Sequence, residues 1–266
     1  MGVLDHFSKL FSLLFLLNAL ITYSYADPHS PILVIRKEDE FLLPPYLQDY
    51  DGGILNVISE KSTDHTQKRS VKAGEWLEYG DSLSIPDRMS LHVLMNEGLQ
   101  WVGGGVFDGK ILDGKWNSSK PAYVIEMNRG WMKVWAKPSS FSSPLEIKTP
   151  QISLSVTDGV FWLSASAKKT EVYVLSGTVK DADHLCETEK FYEWSGVPAQ
   201  LEKTTSKWDF VSLEKRISQL YPSLVKLSHR ANNDWLDETS SNKYSELRSN
   251  GWKKADRYFP TPTPQK

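Results

Sequence analysis

The sequence predicts a mainly β protein, a sandwich or a solenoid-like stack, with a helical region at its C-terminal end. Three observations carry this. Short apolar runs recur from Ile32 to Val179, with glycine, proline and aspartate turn residues between them. Within Ile152-Ser153-Leu154-Ser155-Val156 the apolar residues alternate with serine, the period of two that places three side chains on one face of a strand. After about residue 200 the pattern changes. Phe210, Leu213, Ile217, Leu220, Leu224 and Leu227 follow intervals of three and four, which is a helical face.

Taken in order, residues 32–36 form the first β-type run, and Pro44-Pro45 and Asp51-Gly52-Gly53 are breakers. Residues 54–58 are the next strand, and the polar stretch 59–70, rich in Lys, Asp and Thr, reads as a loop. Strands follow at 91–95, 123–127, 152–156 and 171–175. Gly103-Gly104-Gly105 lacks the Lys-Ser/Thr of a phosphate loop and reads as a bulged turn between strands. Pro222 divides the helical stretch into helices at about 209–220 and 222–232, because proline is compatible with a first helical turn. A third, less regular helical piece spans about 235–247. The leucine face has too few heptads for a coiled coil, so it is expected to pack on the β part. Pro260-Thr261-Pro262-Thr263-Pro264 reads as a loose tail.

The N-terminus reads as a cleavable secretory signal. The apolar core at 10–21 is shorter than a membrane span, and Ser24 and Ala26 supply the small residues of a peptidase site. The expected mature chain begins at Asp27 and is periplasmic or secreted in a bacterium, not integral to a membrane. A net charge of −2 gives no footprint for nucleic acid. The single cysteine, Cys186, rules out an intramolecular disulfide, so folding must rest on an apolar core. Asn117-Ser118-Ser119 is a sequon that has meaning only in a eukaryotic secretory route.

Four segments occur in a characteristic order. Ala73-Gly74-Glu75-Trp76-Leu77-Glu78-Tyr79-Gly80-Asp81-Ser82-Leu83 gives a short strand, then Gly-Asp and an apolar residue. Ser90-Leu91-His92-Val93-Leu94-Met95-Asn96-Glu97-Gly98-Leu99-Gln100-Trp101-Val102 is hairpin-like. Val124-Ile125-Glu126-Met127-Asn128-Arg129-Gly130-Trp131-Met132-Lys133-Val134 is strand–Gly–strand. Leu145-Glu146-Ile147-Lys148-Thr149-Pro150 leads into the strands at 152–162 and 170–179. Together, residues 71–183 resemble the FecR domain, the periplasmic module of iron-citrate-type signalling regulators. Family regulators carry a cytoplasmic anti-sigma segment and a membrane helix before this domain, whereas here a signal segment precedes it. Thr157-Asp158-Gly159 also stands in place of the usual Gly-Thr. The resemblance therefore implies a standalone exported FecR-like domain with a solenoid-like β structure. The expected organisation is a signal at 1–26, an N-terminal β segment and polar loop at 27–70, the FecR-like domain at 71–183, a helical region at 184–259 and a tail at 260–266.

No catalytic constellation is visible. The six histidines are scattered without zinc-ligand spacing, there is no nucleophile elbow, and Cys186 has no protease context. Asp181-Ala182-Asp183-His184-Leu185-Cys186-Glu187 collects ligand-type side chains, but a polar loop leaving a strand accounts for it. The expectation is therefore no enzyme, no cofactor and no metal. Ten tryptophans suggest stacking surfaces. In Gly130-Trp131-Met132-Lys133-Val134-Trp135-Ala136, alternation places Trp131, Lys133 and Trp135 on one face. That face reads either as a shelf for sugar rings or a peptide strand, or as a surface buried under the C-terminal helices. Trp101 would lie at its margin, with Trp116 a second-rank neighbour. The expected function is a non-enzymatic envelope binding or scaffold module, with an envelope protein, glycan or peptidoglycan as partner. The alternatives are a periplasmic sensor or regulator component of a transmembrane signalling pathway, or a cell-wall polymer hydrolase.

Overall fold

Alternating apolar side chains pair the chain into one branched sheet. The computed structural model describes residues 45–246 apart from 62–64, 97, 113–122, 138–144, 197–199, 205–208, 240–241 and 244. The expected signal, the run at 32–36, Trp116, the sequon and the tail lie outside the described residues, as does the end of the third helical piece. The described residues fall in one compact unit, residues 41–266.

Strands β1 (Tyr46–Tyr50), β2 (Ile54–Lys61), β3 (His65–Lys72), β4 (Glu75–Trp76), β5 (Asp81–Ser84), β6 (Ser90–Asn96) and β7 (Leu99–Leu112) form the first half. The second half comprises β8 (Tyr123–Ala136), β9 (Leu145–Lys148), β10 (Ser153–Ala165), β11 (Lys169–Lys180), β12 (Leu185–Cys186), β13 (Phe191–Ser195) and β14 (Gln200–Thr204). The main path runs β14-β13-β11-β10-β9-β8-β7-β5-β2-β3, with β6 joining β7 to β1 and β10 also pairing β8 directly. All pairings are antiparallel except β8–β9. The path ends at β3 and β14, so the sheet is not closed into a barrel. It curls over one core, because Leu55 and Val57 of β2 share a cluster with Val172 and Val174 of β11. The fold is thus β-rich with two C-terminal helices.

Three expectations are corrected. The polar stretch 59–70 is not a loop: its first residues extend β2 and most of the rest is β3, in register from Ile54 opposite Lys72 to Lys61 opposite His65. β3 is an edge strand with Gln67, Lys68 and Ser70 in solvent and Val71 buried, so it needs no apolar alternation. Its charges also discourage edge-to-edge pairing. The start of the expected helical region, from residue 184, is not helical either: Leu185–Cys186, Phe191–Ser195 and Gln200–Thr204 are strands. In β13 the period is two, with Tyr192 and Trp194 in the sheet core. Finally, Gly103-Gly104-Gly105 lies inside β7 rather than between strands, at a register shift between Gly104 and Asp108.

The long strands change which residues face inward partway along. On β8, Tyr123, Ile125 and Met127 point into the core, but beyond Gly130 it is Met132 and Val134. The pairing with β7 skips Asn128, since Asp108 faces Arg129 and Gly109 faces Met127. This one-residue bulge inverts the face. On β10, Leu154 and Val156 point inward before the shift at Val156/Asp158, and Phe161 and Leu163 after it. Gly159 and Gly177 face each other at this bulge with φ of 127° and 76°. A Cβ on Gly177 would lie 2.4 Å from Gly159 Cα, so only glycine fits.

The helices stand close to expectation. α1 (Phe210–Leu220) is capped by Asp209, which accepts from the Val211 N–H at 3.0 Å. α2 (Pro222–Leu236) has proline in its first turn and runs past residue 232, burying Trp235. No helix among the described residues is long and apolar enough to cross a membrane.

Candidate functional site

The bulge on β8 turns Trp131, Lys133 and Trp135 to the outer face of the sheet, opposite the main core. There a single cross-strand row forms. Asp49 (β1) faces His92 (β6), which faces Val102 (β7), then Lys133 (β8), Trp162 (β10), Tyr173 (β11) and Phe191 (β13). Seven strands thus contribute to one line of side chains. A second row brings Gln100 beside Trp135, and Trp135 beside Val160.

Helices α1 and α2 cover this face. Val102, Trp135, Trp162, Tyr173, Leu213, Ile217, Leu224 and Trp235 make a second apolar cluster, distinct from the sheet core. Lys133 is buried within it, 5.0 Å from the Trp135 ring, 5.2 Å from Trp162 and 5.4 Å from Phe210. Its ammonium reaches Glu214 of α1 at 3.5 Å. Burial lowers the Lys133 pKa, and the attraction of Glu214 offsets this only in part. Glu214 also lies 3.5 Å from His229 of α2.

Polar bonds tie α2 to the sheet. His92 Nε2 meets Gln100 Oε1 at 2.9 Å, and Gln100 Nε2 donates to the Ala231 carbonyl at 2.9 Å. Trp135 Nε1 donates to Asn232 Oδ1 at 3.1 Å. Lys137 donates to the Trp235 carbonyl at 3.4 Å, and Arg230 pairs with Asp49. Burial pushes the His92 pKa down to about 4 despite its bond to Gln100, so the imidazole is neutral at pH 7. Where α2 begins, the Tyr221 ring sits 3.0 Å from where a Cβ on Gly105 would lie, and Gly105 has φ of 68°. The glycine-rich bulge is therefore the seat of the helix, not a phosphate loop.

The structure brings Trp131, Lys133 and Trp135 together but covers them. Trp135 and Lys133 are buried, and only Trp131 remains half-open. An open stacking shelf does not exist here, because two helices with apolar faces occupy it. Trp101 is not at its margin: it lies on the opposite face, stacked on Phe107 in the sheet core with its Nε1 toward Met95 Sδ at 3.4 Å. At the open end, Trp131 stacks on Tyr173 at 6.4 Å between ring centroids, and Tyr173 packs on Phe191 at 4.5 Å. The Arg216 guanidinium lies over Trp131 and donates to the Tyr173 hydroxyl at 2.9 Å. Lys169 bridges Glu171 at 2.9 Å and Glu193 at 3.4 Å. Sequence reading missed Trp162, Tyr173, His92 and Glu214, since no local window contains a row drawn from seven strands.

The ligand-type loop at 181–187 is internally satisfied. Asp181 accepts from the Asp183 N–H at 2.8 Å, from the His184 N–H, and from Trp194 Nε1 at 3.0 Å. Burial would raise its pKa, and these donors together hold it below the ordinary value. A carboxylate occupied in this way closes a turn.

On this open, curled sheet with a helix-covered aromatic face, the family model described as FecR protein matches residues 113–180. The match covers the arms of β8–β11, and the segments at 73–83 and 90–102 that share the resemblance lie before it. Two solved structures of a candidate anti-sigma factor from Parabacteroides distasonis are similar to the chain. One, at 1.65 Å resolution, has a TM-score of 0.40 at 14% identity and covers 49% of this chain and 62% of that one. The other, at 2.50 Å, has a TM-score of 0.29 at 14% identity, covering 53% and 70%. The chain therefore spans less than two thirds of the first structure's length. Likeness at this level carries no functional argument. No curated protein matches the chain.

Proposed function

We propose that the chain is an exported, non-enzymatic binding module that serves as a sensor or regulator component of a transmembrane signalling pathway in the cell envelope. The observation that carries this reading is the FecR match at 113–180, which falls on the strands that form the centre of the sheet and the aromatic–lysine row. FecR modules work by contact with other envelope and signalling proteins, and a scaffold of this kind suits contact rather than turnover. Its side chains are spent on packing and ion pairs, as Asp81 shows: it is fully buried, accepts from Ser59 and the Glu78 N–H, and pairs with Arg69.

The test is in-cell crosslinking of the tagged chain in its native host, with transcript profiling of a deletion strain. A sensor predicts a crosslinked envelope protein and a changed set of transcripts under one sigma factor. Co-purification of peptidoglycan with unchanged transcripts would replace the reading with a scaffold. Release of soluble cell-wall fragments by the purified chain would replace it with a hydrolase.

A further inference from the structure

The two helices are held unequally. α2 buries Leu224, Val225, Leu227, Ser228, Ala231 and Trp235, and Gln100, Trp135, Lys137 and Asp49 of the sheet bond to it. α1 buries only Leu213 and Ile217. Its polar ties to the sheet include Glu214 to Lys133 at 3.5 Å and Arg216 to Tyr173 at 2.9 Å. An isolated helix shorter than about 12–15 residues is marginal in water, so the 11 residues of α1 depend on this face to stay helical. The face itself is imperfectly satisfied. It keeps a buried cation, and the buried Trp162 Nε1 beside that cation has no hydrogen-bond partner among the described residues. A surface closed over such groups gains less than an apolar core, and weakly held segments open below the free energy of global unfolding.

We propose that α1 is a displaceable cover: it leaves the Lys133–Trp162–Tyr173 row while α2 and the sheet stay folded, and an amphipathic helix of a partner protein that turns one carboxylate toward Lys133 takes its place. α1 defines what the row accepts. Leu213 and Ile217, one turn apart, enter the cluster, and Glu214 beside them meets the lysine. An occupant of the same chemistry presents apolar residues at i and i+4 with a carboxylate at i+1, a helix laid into a groove. The inference does not depend on the signalling reading, since it is tested on the purified chain alone.

Hydrogen exchange by mass spectrometry on the full chain is the first measurement. The amides of residues 214–220 should exchange at least about 100-fold faster than those of 227–235 and 131–135. The second uses a fluorescein-labelled peptide with the sequence of residues 209–221. It should bind the full chain carrying Ile217→Asp at least about tenfold more tightly than the wild type, and Glu214→Gln in the peptide should weaken binding about tenfold. Equal protection of α1 and α2 would overturn the proposal. So would a folded Ile217→Asp chain that ignores the peptide. Collapse of the sheet in that variant would also overturn it, because a cover must leave the sheet standing.

Discussion

Acid should weaken this protein through one histidine. His92 is fully buried between the sheet and α2, and its pKa is pushed down to about 4 from an unfolded value of 6.5. Burial is the main cause. Arg230 and Lys243 push in the same direction, while Gln100 and Asp49 push against it. The native pKa is the depressed one, so between pH 6.5 and 4 the unfolded chain binds more protons. Stability therefore falls as pH drops through that window and levels off below it. At about 1.36 kcal/mol per pKa unit, the loss between pH 7.5 and 4 comes to about 3 kcal/mol. Urea unfolding of the wild type and of His92→Gln at both pH values isolates this contribution, because the other titrating groups cancel in the difference. The wild type should lose about 3 kcal/mol more than the variant on acidification. Equal losses would refute the reasoning, showing that the imidazole takes up its proton in the native state as readily as in the unfolded chain.

Trp135→Ala should cost about 3–5 kcal/mol, read as a fall in urea midpoint, because it empties a buried indole site and leaves Asn232 without its donor. Gly177→Ala should destabilise by more than about 1 kcal/mol in the same assay, since its φ is positive and a Cβ meets Gly159. Glu214→Leu alone leaves Lys133 buried without its carboxylate and should cost about 3 kcal/mol or more. Adding Lys133→Met should restore the melting temperature to at least that of the wild type, because an apolar pair removes the desolvation penalty.

Local windows carried much of the fold. The alternation at 152–156 does place Leu154 and Val156 in the core with Ile152 packed against it. The intervals from Phe210 to Leu227 mark both helices, with Pro222 at the start of the second. Long strands were harder to see. β8 and β10 each join two windows of opposite parity through a bulge, so a glycine that reads as a turn sits inside one continuous strand. The edge strand β3 was invisible for a different reason, since a strand wet on one side and unpaired along one edge needs little apolar residue. Of the site, the grouping of Trp131, Lys133 and Trp135 was legible because it is local. The burial of that group was one of two open readings, because a partner 81 residues away, Glu214 for Lys133, leaves no mark on the neighbouring sequence.

The bulge at Asn128 has a consequence for tolerance to insertion and deletion. Removing that residue would shift one arm of β8 by one place against its neighbours, and a shift of one exchanges the two faces of a strand. Lys133 would then point into the sheet core and Met132 toward the helices, with Trp131 and Trp135 following the lysine. A length change of a single residue at this spot is therefore equivalent to rewriting every side chain of the arm. Between β2 and β3, by contrast, the pairing is already complete at Lys61 opposite His65, so added length beyond that pair inverts no face.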